Sequence, residues 1–169
     1  VLLPEDLSDK SLMVSAPDDL DLIKVIHMLP GQIVTGSLEM TPLVVDGKIV
    51  SDIEQDVVKA AVIERHHGTG NIGLAFVHGF GITNGALAST VGHDAHNLAV
   101  VGTNDADMIC AAKALATTQG GQCVVQDGRV LAVVPLAMAG LISVESTLTL
   151  VESRRLLAQA CDQIGCTLP

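Results

Sequence analysis

The sequence predicts an α+β fold, in which a largely antiparallel or mixed β-sheet carries at least two packed helices. Short apolar runs recur along most of the chain, and Gly, Pro or Asp-Gly turn signals separate them. Only two stretches, both in the C-terminal half, combine a capping residue with apolar residues at helical spacing. The chain has 169 residues, of which 49% are hydrophobic and 17% charged, so it is long and apolar enough to bury a substantial core.

Most of the predicted elements are strands. Apolar runs predict them at 22–29, 33–38, 57–64, 72–80, 85–91 and 98–102. The run at 57–64 is also compatible with a helix, and we favour the strand. Two hairpins are predicted at Asp46-Gly47 and Asp127-Gly128, because these residues accept the positive φ values of a type I′ turn. They would join 43–45 to 48–50, and 123–125 to 129–135.

Two helices are predicted to pack on this sheet. Asn104 can cap the first, and Gly120-Gly121 ends it. Ser143 is the expected cap of the second, which runs to about Ile164. Apolar residues at helical spacing would form the buried faces: Met108, Ala112 and Leu115 in the first helix, and Leu150, Leu157, Ala160 and Ile164 in the second.

The chain is predicted to hold one domain with a lead-in. Residues 1–20 are rich in Pro, Asp and Ser, which favours an interdomain linker or an extended lead-in, and 21–169 form the α+β domain. The chain does not begin with Met, and we expect it to be a fragment of a longer protein.

Charge and composition exclude several classes of partner. A net charge of −10 and a pI near 4.7 argue against nucleic acid and against anionic membrane surfaces. With only Phe76 and Phe80 as aromatic residues, the chain also lacks stacking platforms for single-stranded nucleic acid. The charge-free stretch 130–144 is interrupted by Pro135 and Gly140 and is too short to span a bilayer. We expect a cytoplasmic protein without a targeting signal.

Cysteines and hydropathy add two further expectations. Cys110, Cys123, Cys161 and Cys166 show neither CxxC nor zinc-finger spacing, so free thiols in a reducing compartment are expected. The mean hydropathy of +0.49 is high for a domain without a membrane segment. Apolar surface beyond what one core can hide marks an interface, so we expect contacts with another domain or a homo-oligomer.

The segment 68–73 spells GxGxxG, the dinucleotide-binding fingerprint. That motif works only when a helix begins at its last glycine and offers its N-terminus to the pyrophosphate. The residues that follow, 74–77, favour a strand. A glycine-rich connection is therefore the preferred interpretation.

Two polar clusters are the candidate functional residues. Glu64, Arg65, His66 and His67 precede the glycine-rich loop, either as a hydrogen-bonded strand end or as a polar group facing a neighbouring domain or cleft. His93, Asp94, His96 and Asn97 form the densest polar group between two apolar strands. This second cluster is a tight turn, with Asn97 suited to a left-handed position, or a metal or substrate site in which Asp94 can fix a histidine tautomer, or a polar contact across a domain boundary. Too few ligands converge in one short turn for a metal site.

Several runs resemble the C-terminal domain of the adenine deaminases. The resemblance extends from about Lys24 to Pro169. The runs that carry it are 30–35, 64–73 with 79–81, 88–97, 100–108, 133–136, 139–141 and 165–169. The chain stops short of the family's usual C-terminus, which again leads us to expect a fragment.

The resemblance implies a hydrolase of the amidohydrolase superfamily that converts adenine to hypoxanthine and ammonia in purine salvage. Its binuclear centre of manganese or iron and its His-x-His ligand pair would lie in a barrel domain of the same polypeptide. No metal ligand is therefore expected in this chain, and the isolated fragment is expected to be inactive. The alternative is a structural or oligomerisation module without a direct chemical role. A stand-alone ligand-binding protein is a weaker alternative.

The resemblance also assigns candidate site residues. The family's HD-x-HN segment maps onto His93, Asp94, His96 and Asn97, which become accessory catalytic candidates. Candidates for contact with substrate or with another domain are Glu64, Arg65, His66, His67 and Ser89.

Overall fold

A computed structural model describes residues 1–168 and contains an eight-stranded mixed sheet, a two-stranded ribbon and two α-helices. The strands are β1 (Ile23–Met28), β2 (Thr35–Met40), β3 (Leu43–Val45), β4 (Lys48–Val50), β5 (Val57–Ile63), β6 (Ile72–His78), β7 (Ala86–Ser89), β8 (Leu98–Gly102), β9 (Gly121–Gln126) and β10 (Arg129–Pro135). The helices are α1 (Asp105–Thr117) and α2 (Thr147–Gln163). The predicted α+β class is confirmed.

The main sheet has the strand order β10-β9-β7-β8-β5-β6-β1-β2, and β3 and β4 form the ribbon. Neighbouring strands are antiparallel except β1 and β6, which are parallel. A parallel pair needs a long crossover between its strands, and here β2, the ribbon and β5 lie between β1 and β6 along the chain.

The two helices cover opposite faces of the sheet. Successive side chains of a strand point to opposite faces, so each strand contributes to both cores. Ala88 and Cys123 pack with α1, whereas Leu87 and Val124 pack with α2. Because α2 packs on β9 and β10, the β5–β6 part of its face is left uncovered, and Val62 is 47% exposed there.

Both predicted Asp-Gly hairpins form. Asp46 and Gly47 have φ values of 50° and 70°, and Asp127 and Gly128 have 51° and 73°, as a type I′ turn requires. The strand predicted at 33–38 begins later, at Thr35. The turn at Gly31 (φ 70°) and the pairing of Met28 with Thr35 leave Ile33 and Val34 outside the ladder.

The first helix confirms its predicted cap, and the second corrects it. The Asn104 side chain accepts a hydrogen bond from the Asp107 N–H at 2.8 Å. Ser143 does not cap α2, because its hydroxyl accepts a bond from the Glu145 N–H in the preceding turn. The cap is Ser146, which accepts from the Thr149 N–H at 3.2 Å. Among residues 1–168, no helix is both long and apolar enough to cross a membrane.

Residues 1–20 pack against the domain. Leu7 and Leu12 are buried in the core on the α1 face, and Leu12 lies in a short 3₁₀-helix (Asp9–Leu12). The Leu12 carbonyl accepts a 2.9 Å hydrogen bond from Lys59 Nζ, which also lies 2.6 Å from Asp105 Oδ1. Lys59 therefore ties this segment to the start of α1.

Candidate functional site

Three loops meet at one end of the sheet, which we call the loop end. They are the β5–β6 loop (64–71), the β7–β8 loop (90–97) and the segment 136–142 after β10. The antiparallel register brings them together, because Ile63 pairs with Leu98 and Pro135 with Gly121. The two polar clusters of the sequence therefore lie side by side.

Arg65 is the buried centre of the loop end, with only 6% of its surface exposed. Its Nε donates to the His96 carbonyl at 2.5 Å, and its Nη2 donates to the Ala139 carbonyl at 2.8 Å. Burial lowers the pKa of Arg65. Gly140 makes room for the guanidinium, since a Cβ there would lie 2.9 Å from Arg65 Nη1. Arg65 therefore joins all three loops.

Glu64 organises the β5–β6 loop with its carboxylate. Its Oε1 accepts hydrogen bonds from the N–H groups of His66 (2.5 Å) and His67 (2.8 Å). Its Oε2 accepts from the N–H and the hydroxyl of Thr69, both at 3.0 Å. These donors, led by the Thr69 N–H, lower the pKa of Glu64 to about 2. This arrangement is a hydrogen-bonded strand end, one of the two interpretations of the sequence. Whether it also faces another domain stays a prediction.

The Glu64→Gln variant is expected to loosen the β5–β6 loop, because a neutral amide oxygen is a weaker acceptor than a carboxylate. Amide hydrogen exchange at His66, His67 and Thr69 should become faster. The folded pKa lies below the ordinary value of 4.5, so the carboxylate stabilises the loop above about pH 4.5 and loses that effect as the pH falls through about 2. The difference in amide exchange rate between wild type and variant should therefore shrink as the pH falls from about 4.5 to about 2.

Glu145→Gln, at an exposed position before α2, is the matched control and should leave loop exchange unchanged. The carboxyl resonance of Glu64 can be followed directly by NMR. A midpoint near 4.5 for that resonance would contradict the assignment.

The β7–β8 loop presents His93 and Asp94 to solvent, and their side chains are 93% and 82% exposed. His93 Nδ1 contacts Asp94 Oδ1, and such a contact can fix a histidine tautomer. His66 Nε2 lies 2.9 Å from the Ala95 carbonyl, so the β5–β6 loop supports this loop. His96, not Asn97, occupies the left-handed position (φ 47°), and its N–H donates to the Gly92 carbonyl.

Asn97 lies beside a shallow depression on the uncovered part of the α2 face. The depression has a volume of about 520 Å³, and Val62, Glu64, Asn71, Ile72, Gly73 and Asn97 line it. Within residues 1–168, Asn97 Oδ1 is a buried side-chain oxygen without a hydrogen-bond partner. Buried polar atoms are normally satisfied, which marks this position as a candidate contact point.

Ser89 lies in β7 on the same face of the sheet as the depression, because Ala99 of β8 pairs with both Ser89 and Val62. Ser89 follows Ala88, which packs with α1, so strand alternation places Ser89 on the α2 face. Its hydroxyl hydrogen bonds with the backbone of Val91.

The glycine-rich segment 68–71 leads into β6 and not into a helix, as expected for a connection between strands.

Lys59 is a buried charged residue that sequence reasoning missed. Its side chain is 5% exposed and pairs with Asp105, which begins α1. The available signal was a single charged residue inside the apolar run of β5. The partner could not be identified from the sequence, because it lies 46 residues away.

The described residues do not provide a metal centre. Within 1–168, no three or more His, Cys, Asp or Glu side chains lie close enough together to hold an ion. These described residues therefore supply no ligand set for the binuclear centre that the resemblance implies.

Comparison with known proteins identifies the family. The model of the family "Adenine deaminase C-terminal domain" matches residues 32–169. An adenine deaminase of Brucella anthropi is 48% identical over 145 residues, which cover 86% of this chain and 26% of that protein. The adenine deaminase of Moorella thermoacetica is 42% identical over 170 residues, covering 99% of this chain and 28% of that protein. The Clostridium botulinum adenine deaminase is 44% identical over 163 residues, covering 96% and 27%.

The chain thus spans about a quarter of the length of these relatives. The family match begins within the turn before β2 and includes both polar clusters of the loop end. The resemblance recognised in the sequence is confirmed, and the chain belongs to the adenine deaminase C-terminal domain family.

Proposed function

We propose that this chain is the C-terminal domain of an adenine deaminase whose full-length form hydrolyses adenine to hypoxanthine and ammonia. The observation that carries the proposal is the similarity of nearly the whole chain to proteins named adenine deaminase. The metal-dependent chemistry would belong to the remaining three quarters of such an enzyme. A cytoplasmic role in purine salvage with manganese or iron belongs to the same proposal.

Within that enzyme, we propose that the loop end lies at the edge of the active site, next to the catalytic barrel. Binding and catalytic groups are often carried on loops that a rigid scaffold positions. Arg65 holds the loop end rigid, since its side chain is buried and hydrogen bonded to the two other loops. His93 and Asp94 supply polar groups at the exposed tip. The other candidates on this surface are His66, His67, His96 and Asn97.

The isolated 169-residue chain is expected to release no ammonia from adenine, with or without added manganese, iron or zinc. The reason is that its described residues bring no set of metal ligands together. An enzyme-coupled ammonia assay on the purified chain measures this, with a full-length relative as the positive control. Metal-dependent release by the chain itself would contradict the assignment of the chemistry to the missing part.

An oligomerisation role is the second candidate, and exposed apolar side chains favour it. On α2, Leu148 is 84% exposed and Val151 is 62% exposed. Ile142 and Val144, in the segment before this helix, are 58% and 65% exposed. Contiguous exposed apolar surface commonly marks an interface. If the domain has only an oligomerisation role, changes at His93 and Asp94 would leave turnover intact. Leu148→Ser would then lower the sedimentation coefficient, because the oligomer would dissociate.

A further inference from the structure

The C-terminal end of α2 holds two cysteines in a fixed relation. The Cys166 N–H donates to the Cys161 carbonyl at 2.9 Å, and the Gly165 N–H donates to the Asp162 carbonyl at 3.0 Å. With Gly165 left-handed at φ 86°, these bonds define a Schellman motif. That motif normally brings two apolar residues into contact, the third-from-last residue of the helix and the second residue after the C-cap. Here both positions are cysteine.

The motif is anchored to the loop between β6 and β7 by two backbone hydrogen bonds. The Thr83 N–H donates to the Ile164 carbonyl, and the Thr167 N–H donates to the Phe80 carbonyl, both at 2.9 Å. Gly165 also sits close to the 79–83 loop, because a Cβ there would lie 2.8 Å from the Gly81 carbonyl oxygen. The two cysteines are therefore held together by the fold.

The two thiols differ in acidity. A hydrogen bond from the Cys161 thiol lowers the pKa of the Cys166 thiol to about 6, and the Leu168 N–H adds to this effect. The same pairing, together with burial, raises the pKa of the Cys161 thiol. Asp162 and Asp56 oppose the ionisation of Cys166, and Arg154 favours that of Cys161. Cys166 is thus the more acidic of the two thiols, and the thiolate is the nucleophilic form.

A small molecule can reach this pair. Cys161 and Cys166 line a cavity of about 410 Å³ between α2 and the sheet, whose wall also includes Phe80, Leu87 and Arg154. Cys161 is partly exposed, whereas only 8% of the Cys166 surface is exposed. Cys123, in contrast, is fully buried, and burial raises the pKa of its thiol to about 12. Burial also raises the pKa of the Cys110 thiol.

We propose that Cys161 and Cys166 form a redox-responsive dithiol, which a small hydroperoxide converts to an intramolecular disulfide. The Cys166 thiolate attacks one oxygen of hydrogen peroxide. The O–O bond breaks, a sulfenic acid forms, and the hydroxide that leaves takes up a proton to become water. Cys161 loses its proton as it attacks the sulfenic sulfur, and the second water leaves. The two sulfurs lose two electrons and the peroxide gains them.

Peptide mapping of the 169-residue chain tests the proposal. Trypsin cleavage after Arg155 leaves Cys161 and Cys166 on one peptide, whereas Cys110 and Cys123 fall on two others. After brief exposure to hydrogen peroxide, the peptide 156–169 should lose two hydrogen atoms, and dithiothreitol should restore them. Cys110 and Cys123 should still be alkylated by iodoacetamide after denaturation.

Serine variants assign the two roles. In Cys161→Ser, a sulfenic acid should accumulate on Cys166 and react with dimedone, because its resolving thiol is absent. In Cys166→Ser, oxidation of Cys161 should be at least ~10-fold slower than oxidation of Cys166 in Cys161→Ser, because burial and Asp162 still raise the pKa of the Cys161 thiol. Cys110→Ser is the matched control and should behave as wild type. Circular dichroism verifies that each variant is folded. Oxidation of Cys110 or Cys123 at the same rate, or disulfides only between molecules, would overturn the proposal.

Discussion

Replacing Lys59 by methionine is expected to lower the free energy of unfolding by about 1–3 kcal/mol, between the ranges for exposed and fully buried ion pairs, because Asp105 is 26% exposed. The methionine keeps most of the buried hydrocarbon volume but leaves the Asp105 carboxylate without its cation. It also leaves the Leu12 carbonyl without the donor that anchors the N-terminal segment. Urea denaturation of the 169-residue chain, followed by circular dichroism, measures the change.

The paired variant Lys59→Met/Asp105→Asn separates the ion pair from packing. It removes both charges, so it should lose less stability than the sum of the two single variants. Lys113→Met, at an exposed position on α1, is the control for the substitution itself and should change stability by less than about 0.5 kcal/mol. A loss below about 1 kcal/mol for Lys59→Met would contradict this expectation, because it would show that water replaces Lys59 as the donor to the Asp105 carboxylate and the Leu12 carbonyl.

In a full-length enzyme that carries this domain, His93→Ala and Asp94→Ala are each expected to reduce kcat/KM by at least ~10-fold. Removal of a general acid or base typically costs about 100-fold or more, and an accessory group at the edge of the site costs less. Both side chains are highly exposed, so the thermal midpoint should change little. Steady-state kinetics with adenine, together with thermal melts of each variant, measures the two quantities.

Arg129→Ala is the matched control for this experiment. Arg129 is exposed beside the Asp127-Gly128 turn, at the end of the sheet opposite the loop end, and its loss should not alter turnover. If the His93 and Asp94 variants keep wild-type kcat/KM, or lose it only in proportion to stability, the β7–β8 loop has a structural role. The oligomerisation candidate would then be preferred.

Local chemistry explains why many elements could be predicted. The Asp-Gly turns need only the φ preferences of two residues, and the Asn104 cap needs only a side-chain acceptor three residues before an N–H. Predictions failed where two local options competed. Ser143 and Ser146 are both able caps, and the hydrogen bond of Ser143 within its own turn decided between them. Likewise, Ile33 was predicted to lie in a strand, but the pairing of β1 with β2 ends at Met28 and Thr35 and leaves it outside.

The candidate site was predicted in parts. The sequence marked Glu64–His67 and His93–Asn97 as separate polar clusters, and the β5–β8 pairing placed them side by side. Ser89 was grouped with them, and the pairing of β7 with β8 places it on the same face of the sheet as Val62. Lys59 and Arg65 act through partners that are distant in sequence. Such contacts depend on strand order, and local propensity does not contain that order.

By itself, the sequence determined the α+β class, the hairpins, the position of α1, the family and the polar clusters, because periodicity, turn chemistry and motif runs are local properties. Only the tertiary structure decided which loops share the loop end, which face each helix covers, and which buried charges are paired. It also decided that Cys161 and Cys166 line one cavity, since the left-handed Gly165 and its packing against the 79–83 loop fix the end of α2. These features depend on long-range strand pairing, which the strand order of the whole sheet sets.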